Sequence, residues 1–343
     1  MKRVVFAFLC LLSWSFDGHA QAPFYQGKTI RVIVGTAPGN LYDLWSRLIA
    51  AHMGKHIPGN PDFIVQNMPG AGHVVAANHL YSVAKPDGLT LIGSIIPSLY
   101  LNQLVGREEI QFDWAKYSWI GSPARGGSQM YMRADTPYKT IEDVRSAKEP
   151  PKCGATGVTG PDSYLPKLLQ EVVGAKFTIV TGYPGGSDID LAVERGEVHC
   201  RAFTIEAFFG REPYTTWRKS GFVRNLFQTG ERRDARLPDT PTVAELMKQH
   251  KTPEAGRRLA TVLLAAGDMG RPMFGPPGVP ADRLKILRES FAKTMNDPQF
   301  QAEVKKRNYE FDPVDGEGLQ ALAKEVTSQP PDVVERLKKV LGN

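Results

Sequence analysis

Apolar positions along the chain change period several times, and each change marks an element. "KTIRVIVG" is a continuous β-branched run, the pattern of a strand covered on both faces. From Leu41 to Lys55, Leu44, Leu48, Ile49 and Met53 recur at helical spacing. "FIVQN" then reads as a strand, "GAGHVVAANHLYSVA" as a helix opened by glycines, and "LTLIGSI" as a further strand. Strand, helix, strand, helix, strand implies parallel pairing with right-handed crossovers. After "KYSWIGSP" the alternation restarts. "SQMYMRA", "KCGATG", "FTIVTGY" and "EVHCRAF" are strands, separated by helices in "TIEDVRSA", "SYLPKLLQEVVG" and "DIDLAVERG". Thr140 opens the first of these helices and Gly174 closes the second.

"RRDARLPDTPTVAEL" is a proline-rich turn entering a helix near Thr242, and "RPMFGPPGVPADRLKILRESF" gives a short strand, a rigid connector and a long helix. The rest, to Asn343, reads as helices that must pack on something, and the first βα set is the expected host. The fold class is therefore α/β with two lobes, each a mainly parallel sheet flanked by helices. Residues 21–124 and 272–343 would form one lobe and 125–271 the other. The chain would leave the first lobe near Ser122–Arg125 and return near Pro272–Gly278, so that two crossings make a hinge beside a cleft.

The first twenty residues, "MKRVVFAFLCLLSWSFDGHA", have a basic start, an apolar core too short to span a bilayer and a small residue at Ala20. This is the layout of a secretory signal peptide, residues 1–20, which places the mature protein in the periplasm; cutting after Ala22 instead would leave Pro23 first. The formal charge of +6 is scattered, and the only basic clusters, "ERRDAR" and "EVKKR", are mixed with acids. That distribution excludes a nucleic-acid footprint and suits mild attraction of anions. A mature chain of this length favours two lobes over one core. Two cysteines remain after processing, Cys153 and Cys200, each at the end of an expected strand; sequence leaves open whether they bridge. No cofactor is expected, and a monomer is.

One stretch carries chemistry of its own. In "VGTAPGNLYDLWSR" a strand runs through a glycine turn into a helix N-terminus, which presents bare N–H groups to an anion. An ordinary strand-to-helix turn explains the same residues. Together with "VQNMPGAGHVVAANHLYSVAKPDGLTLIGS", "TGYPGGSDIDLAVERGEV", "LPDTPTVAE" and "FGPPGVPADRL", the stretch resembles the extracytoplasmic receptors of tripartite tricarboxylate transporters, the Bug proteins. The resemblance covers essentially the whole mature chain. It implies a two-lobed periplasmic binding protein of the Venus-flytrap kind (type 2-like) that closes on a small organic carboxylate and delivers it to integral membrane subunits. Presentation of the ligand to a membrane signalling kinase, or an enzyme on the same scaffold, are the alternatives. The identity of the acid (mono-, di-, tricarboxylate or aromatic) stays open.

The resemblance also implies two gripping loops. The first corresponds to Thr36, Ala37, Pro38, Gly39, Asn40 and Asp43; the second spans Gly154 to Ser163, with Thr156, Gly157, Thr159, Gly160 and Ser163 as its glycines and hydroxyls. Tyr183, Gly185, Gly186 and Ser187 would line the cleft beside them, and Ser94 and Thr204 follow or end strands nearby. Three departures from the family pattern bear on the ligand: Gly39-Asn40 in place of Gly-Gly, His73 in place of a small residue, and Pro161 in the second loop. Asp43 near an anion site would either orient neighbouring N–H groups or bind a ligand donor; a pair with Arg47, four residues on, is the plain explanation of both. Arg125 and Arg201 are the cationic candidates for a second acid group, against ordinary salt bridges. His52 and His56 have metal-pair spacing without a third ligand and read as surface residues. No nucleophile elbow, P-loop or Rossmann fingerprint occurs.

Overall fold

The computed structural model describes residues 23–156, 160–183, 185–230 and 232–342. The expected signal peptide, and Gly157 and Thr159 of the second loop, lie outside them. Ile30, Val32, Ile33 and Val34, fully buried, make β1 (Thr29–Val34) a strand with core on both faces. Asn40 then caps α1 (Leu41–Met53), its Oδ1 accepting the Tyr42 N–H at 3.1 Å. β2 (Asp62–Asn67), α2 (Val74–Ser82), β3 (Thr90–Ile92), α3 (Leu99–Leu104) and β4 (Ser118–Ser122) complete the first stretch.

Beyond the first crossing come β5 (Ser128–Arg133), α4 (Ile141–Ser146), β6 (Lys152–Gly154), α5 (Pro161–Val173), β7 (Thr178–Val180), α6 (Gly186–Glu194), β8 (Cys200–Thr204), α7 (Ile205–Gly210), α8 (Tyr214–Ser220) and β9 (Val223–Gln228). Thr140 and Thr242 each form a capping box, opening α4 and α9 (Val243–Gln249). α10 (Glu254–Met269), β10 (Met273–Gly275), α11 (Ala281–Met295), α12 (Pro298–Lys306), β11 (Val314–Asp315), α13 (Gly316–Thr327) and α14 (Pro331–Leu341) follow.

Two sheets result, ordered β11-β4-β10-β3-β1-β2 and β7-β6-β8-β5-β9. In the first, β1 runs parallel to β2 and β3, while β10 is antiparallel to β3 and β4. In the second, β6 runs parallel to β7 and β8, while β5 is antiparallel to β8 and β9. The exceptions have a simple cause. β5 and β10 enter their lobes from the crossings, at the end where the other strands finish, and must run back. The carboxyl ends of β1–β4 and β6–β9 therefore point toward the lobe boundary.

Each lobe has its own outer layer. α1, α11 and α12 cover the first sheet through Trp45, Ile49, Phe291 and Phe300; α6, α7 and α8 cover the second through Ile189, Val193, Phe208 and Trp217. The inner layer is common. One continuous core joins Ile33, Trp119 and Phe274 of the first sheet to Met130 of the second and to Leu165 and Leu169 of α5. α10 packs on α5, α13 and α14, and α14 also packs on α5, so helices late in the chain tie the lobes together.

The crossings touch each other. The Gly126 N–H donates to the Gly267 carbonyl at 2.8 Å, and a Cβ on Gly270 would stand 1.7 Å from the Ala124 carbonyl oxygen. Only glycine allows that approach at φ +62°.

Candidate functional site

The strand orders place two loops at special points. The connections from β1 run to β2 on one side and, through β2, to β3 on the other; those from β6 divide likewise between β7 and β8. Such topological switch points open a crevice at the carboxyl ends of the strands, where α/β proteins bind ligands. The loop after β1 holds Thr36 to Asn40, and the described residues between β6 and α5 are Ala155, Thr156 and Gly160.

Asp43 organises the first loop. It is buried in the first turn of α1 and accepts the Gly39 N–H at 2.9 Å, the Arg47 Nε–H at 3.0 Å and the Asn67 amide at 2.9 Å. The same Asn67 amide donates to the Thr36 carbonyl at 2.9 Å, so β2 holds both ends of the loop. Burial works to raise the Asp43 carboxyl, but the Arg47, Gly39 and Asn67 donors outweigh it and hold the group below its ordinary value. Its oxygens are committed within the protein, which is the orienting role rather than the ligand-facing one.

Asp162 does the equivalent work in the second lobe. Its Oδ2 accepts both the N–H and the hydroxyl of Thr156, each at 3.0 Å. Burial pushes its carboxyl up against those bonds. Gly160 precedes α5, Ser163 is buried in its first turn, and Gly185 precedes α6.

Buried polar atoms without a protein partner gather on both sides of the boundary. Among the described residues they include Thr36 Oγ1, His73 Nδ1 and Ser94 Oγ in the first lobe, and Asp162 Oδ1, Ser163 Oγ and Arg201 Nε in the second. Native interiors leave few such atoms unpaired, so each of these is a candidate to meet something else. The two sides are close enough to interact. Burial first, then Tyr42 of α1 and Asp162, push up the hydroxyl of Tyr164 on α5. Arg271, at the second crossing, stacks on the Tyr42 ring at 5.3 Å and pairs with buried Glu206 on α7.

Residues 46–338 match the family described as tripartite tricarboxylate transporter family receptor, TctC. The chain belongs to that family. A UPF0065 protein of Bordetella pertussis is 36% identical over 315 residues, 88% of this chain and 85% of that protein. Among solved structures, a TctC solute binding protein from Polaromonas shares the fold with a TM-score of 0.69 at 19% identity, covering 93% of this chain and 99% of its own. MatC from Rhodopseudomonas palustris, solved with bound malate, aligns with a TM-score of 0.61 at 20% identity over 92% and 99% of the two chains. R. palustris Rpa4515, solved with adipate, gives 0.64 at 18% over 92% and 97%.

In this receptor several expected site residues gather and others stand apart. Pro38, Gly39 and Asn40 are exposed on the first loop, and Asn40 commits its Oδ1 to the helix cap. Arg201 is buried, its Nη1 donating to both Asp190 oxygens at 3.0 Å and to the Gly186 carbonyl at 3.0 Å. A Cβ on Gly186 would meet that guanidinium at 2.0 Å, so the arginine supports the start of α6 from beneath. Arg125 is exposed at the first crossing, 3.3 Å from Asp312. Thr204 pairs with Ser128 in the ladder beside the hinge. His52 and His56, expected on the surface, are instead buried and half-buried, facing Glu303 at 3.1 Å and Asp297 at 3.0 Å. Sequence reasoning passed over Asn67, Asp162 and the Arg271–Glu206 pair. Asp162, in the first turn of a helix opened by Pro161, carried a local signal; the others meet only through the fold.

Proposed function

We propose that the protein is a periplasmic solute receptor that captures a small organic carboxylate between its lobes, without chemical change, and delivers it as a monomer to the integral membrane subunits of a tripartite carrier. The observation that carries this reading is the pair of loops at the two switch points, each braced by a buried carboxylate and each beside buried unpartnered hydroxyls. Loop N–H groups that Asp43 and Asp162 leave free, and neutral hydroxyls, bind an anion with charge-assisted hydrogen bonds worth about 1.5–3 kcal/mol each. Micromolar capture asks for about 8 kcal/mol after association costs of about 4 kcal/mol or more, so about four such bonds near the upper end of that range, with a helix N-terminus, are required. Neutral donors also release the cargo readily. Residues 21–124 and 272–327 would move as one lobe against 125–271, with α14 staying on α5 and α10 of the second, the ligand favouring closure because each side supplies part of its grip.

Malate and adipate, the acids in the two R. palustris structures, are both dicarboxylates. They set the first compounds to try. Isothermal titration of mono-, di- and tricarboxylates and aromatic acids, with melting curves in parallel, tests the reading. Micromolar binding and a raised melting temperature for one class is the expected result; no heat and no stabilisation from any class would end it.

A further inference from the structure

One buried side chain in the first lobe carries a polar atom that the fold does not use. His73 ends the β2–α2 connection with φ +77° and is nine-tenths buried. Glycine adopts that left-handed backbone most easily, with asparagine, aspartate and histidine the commoner exceptions. The ring lies over Gly35, where an added Cβ would stand 2.7 Å from Nδ1, and meets the Tyr42 ring edge-on with centroids 5.1 Å apart. Nδ1 is buried without a partner among the described residues, whereas Nε2 is not sealed in this way. The strand order β3-β1-β2 sets Ser94 and Thr36, each two residues beyond its strand, at neighbouring strand ends, and His73 lies over Gly35 beside Thr36; each of the three has an unpartnered buried polar atom.

We propose that His73 is a specificity-determining residue of the cleft, its imidazole meeting an acid group of the bound ligand and taking up a proton from solvent as that acid is captured. The inference rests on the carboxylate reading above. In the free protein the ring is neutral, because burial holds its pKa at about 4 and no charged side chain offsets that. The groups around it agree. Tyr42 of α1 is the titratable side chain in contact, and burial pushes its hydroxyl up, so it stays protonated. Arg271 lies against the Tyr42 ring and is matched by Glu206. On the β2 side Arg47 is matched by Asp43, and His79 sits in the last turn of α2. A ligand carboxylate would therefore bring a charge that nothing nearby balances, and an opposite charge in contact raises a histidine by about 1–3 pKa units.

The test is titration of a dicarboxylate such as malate into the full mature chain and into His73→Asn between pH 5 and 7. Asparagine tolerates the left-handed backbone, and His73→Gly serves as a second variant should asparagine lower the melting temperature. Wild-type affinity should rise roughly tenfold from pH 7 to pH 5, relative to the variant, as expected for a rise of about two pKa units on binding. Buffers of different ionisation enthalpy should report proton uptake in the wild type alone. Protonation of the ligand itself is common to both proteins and cancels. Identical pH profiles and proton counts in wild type and variants, with binding intact, would overturn the role of His73 and leave the carboxylate reading standing. Absence of wild-type binding to malate and to every other acid class named above would instead remove that reading, and the inference with it.

Discussion

Asp43 shows how a residue that looks wrong for the proposed anion site can support it. A free carboxylate there would repel an acid, but this one accepts from Gly39, Arg47 and Asn67 and thereby fixes the turn that carries the loop. Asp43→Asn should cost about 2 kcal/mol of stability, since a charge-assisted bond is lost and an amide N–H meets other donors. Urea denaturation measures that loss, and ligand affinity should fall with it. The pH sign follows from the lowered folded pKa. The contribution of Asp43 is fully present above its ordinary value of 3.8 and disappears as pH falls through the lower folded one. The wild type should thus lose its advantage over Asp43→Asn only in strong acid. Sequence made the Asp43–Arg47 pair legible, because i to i+4 spacing on a helix is local. Asn67 was not, because its bond to Asp43 spans 24 residues and depends on β2 lying beside β1.

Elements with a dense apolar pattern were the readable ones. β1 and β2 announced themselves by β-branched runs, and α4, α5 and α9 by their caps or closing glycine. β9 escaped notice because Arg224 and Asn225 interrupt its apolar positions. α10 was missed although Leu259, Val262, Leu263 and Ala266 recur at helical spacing. Two links between elements invite measurement. Cys153 on β6 and Cys200 on β8 are register partners joined by a disulfide across 47 residues. Reducing it, or replacing both with serine, should lower stability by about 2–4 kcal/mol, read from melting curves with and without reductant. At the hinge, Gly270→Ala would force a methyl onto the Ala124 carbonyl at a backbone angle alanine avoids. A loss of about 3 kcal/mol is expected in urea denaturation, from overpacking and backbone strain together.

The whole molecule carries a charge device at the boundary. Arg236 pairs with Glu310, whose backbone N–H donates to Glu206, and Glu206 pairs in turn with Arg271. Burial, ahead of the opposing pull of Arg236, pushes Glu310 up to about 7 from 4.5. An acid raised on folding contributes stability that is present below its unfolded value and lost as pH rises through the folded one. Stability should therefore decline between pH 4.5 and 7 and flatten above, and Glu310→Gln should remove that slope in denaturation curves run across the range. The two lobes could be read from the restart of the βα alternation, but their common inner layer could not, since nothing local in α14 says that its apolar face will meet α5. That layer decides how the gene can be cut. Either half synthesised alone would expose the face that α10 or α14 should cover and would precipitate. Co-expressed fragments, each supplying the other's missing helices, should reassemble into a working receptor.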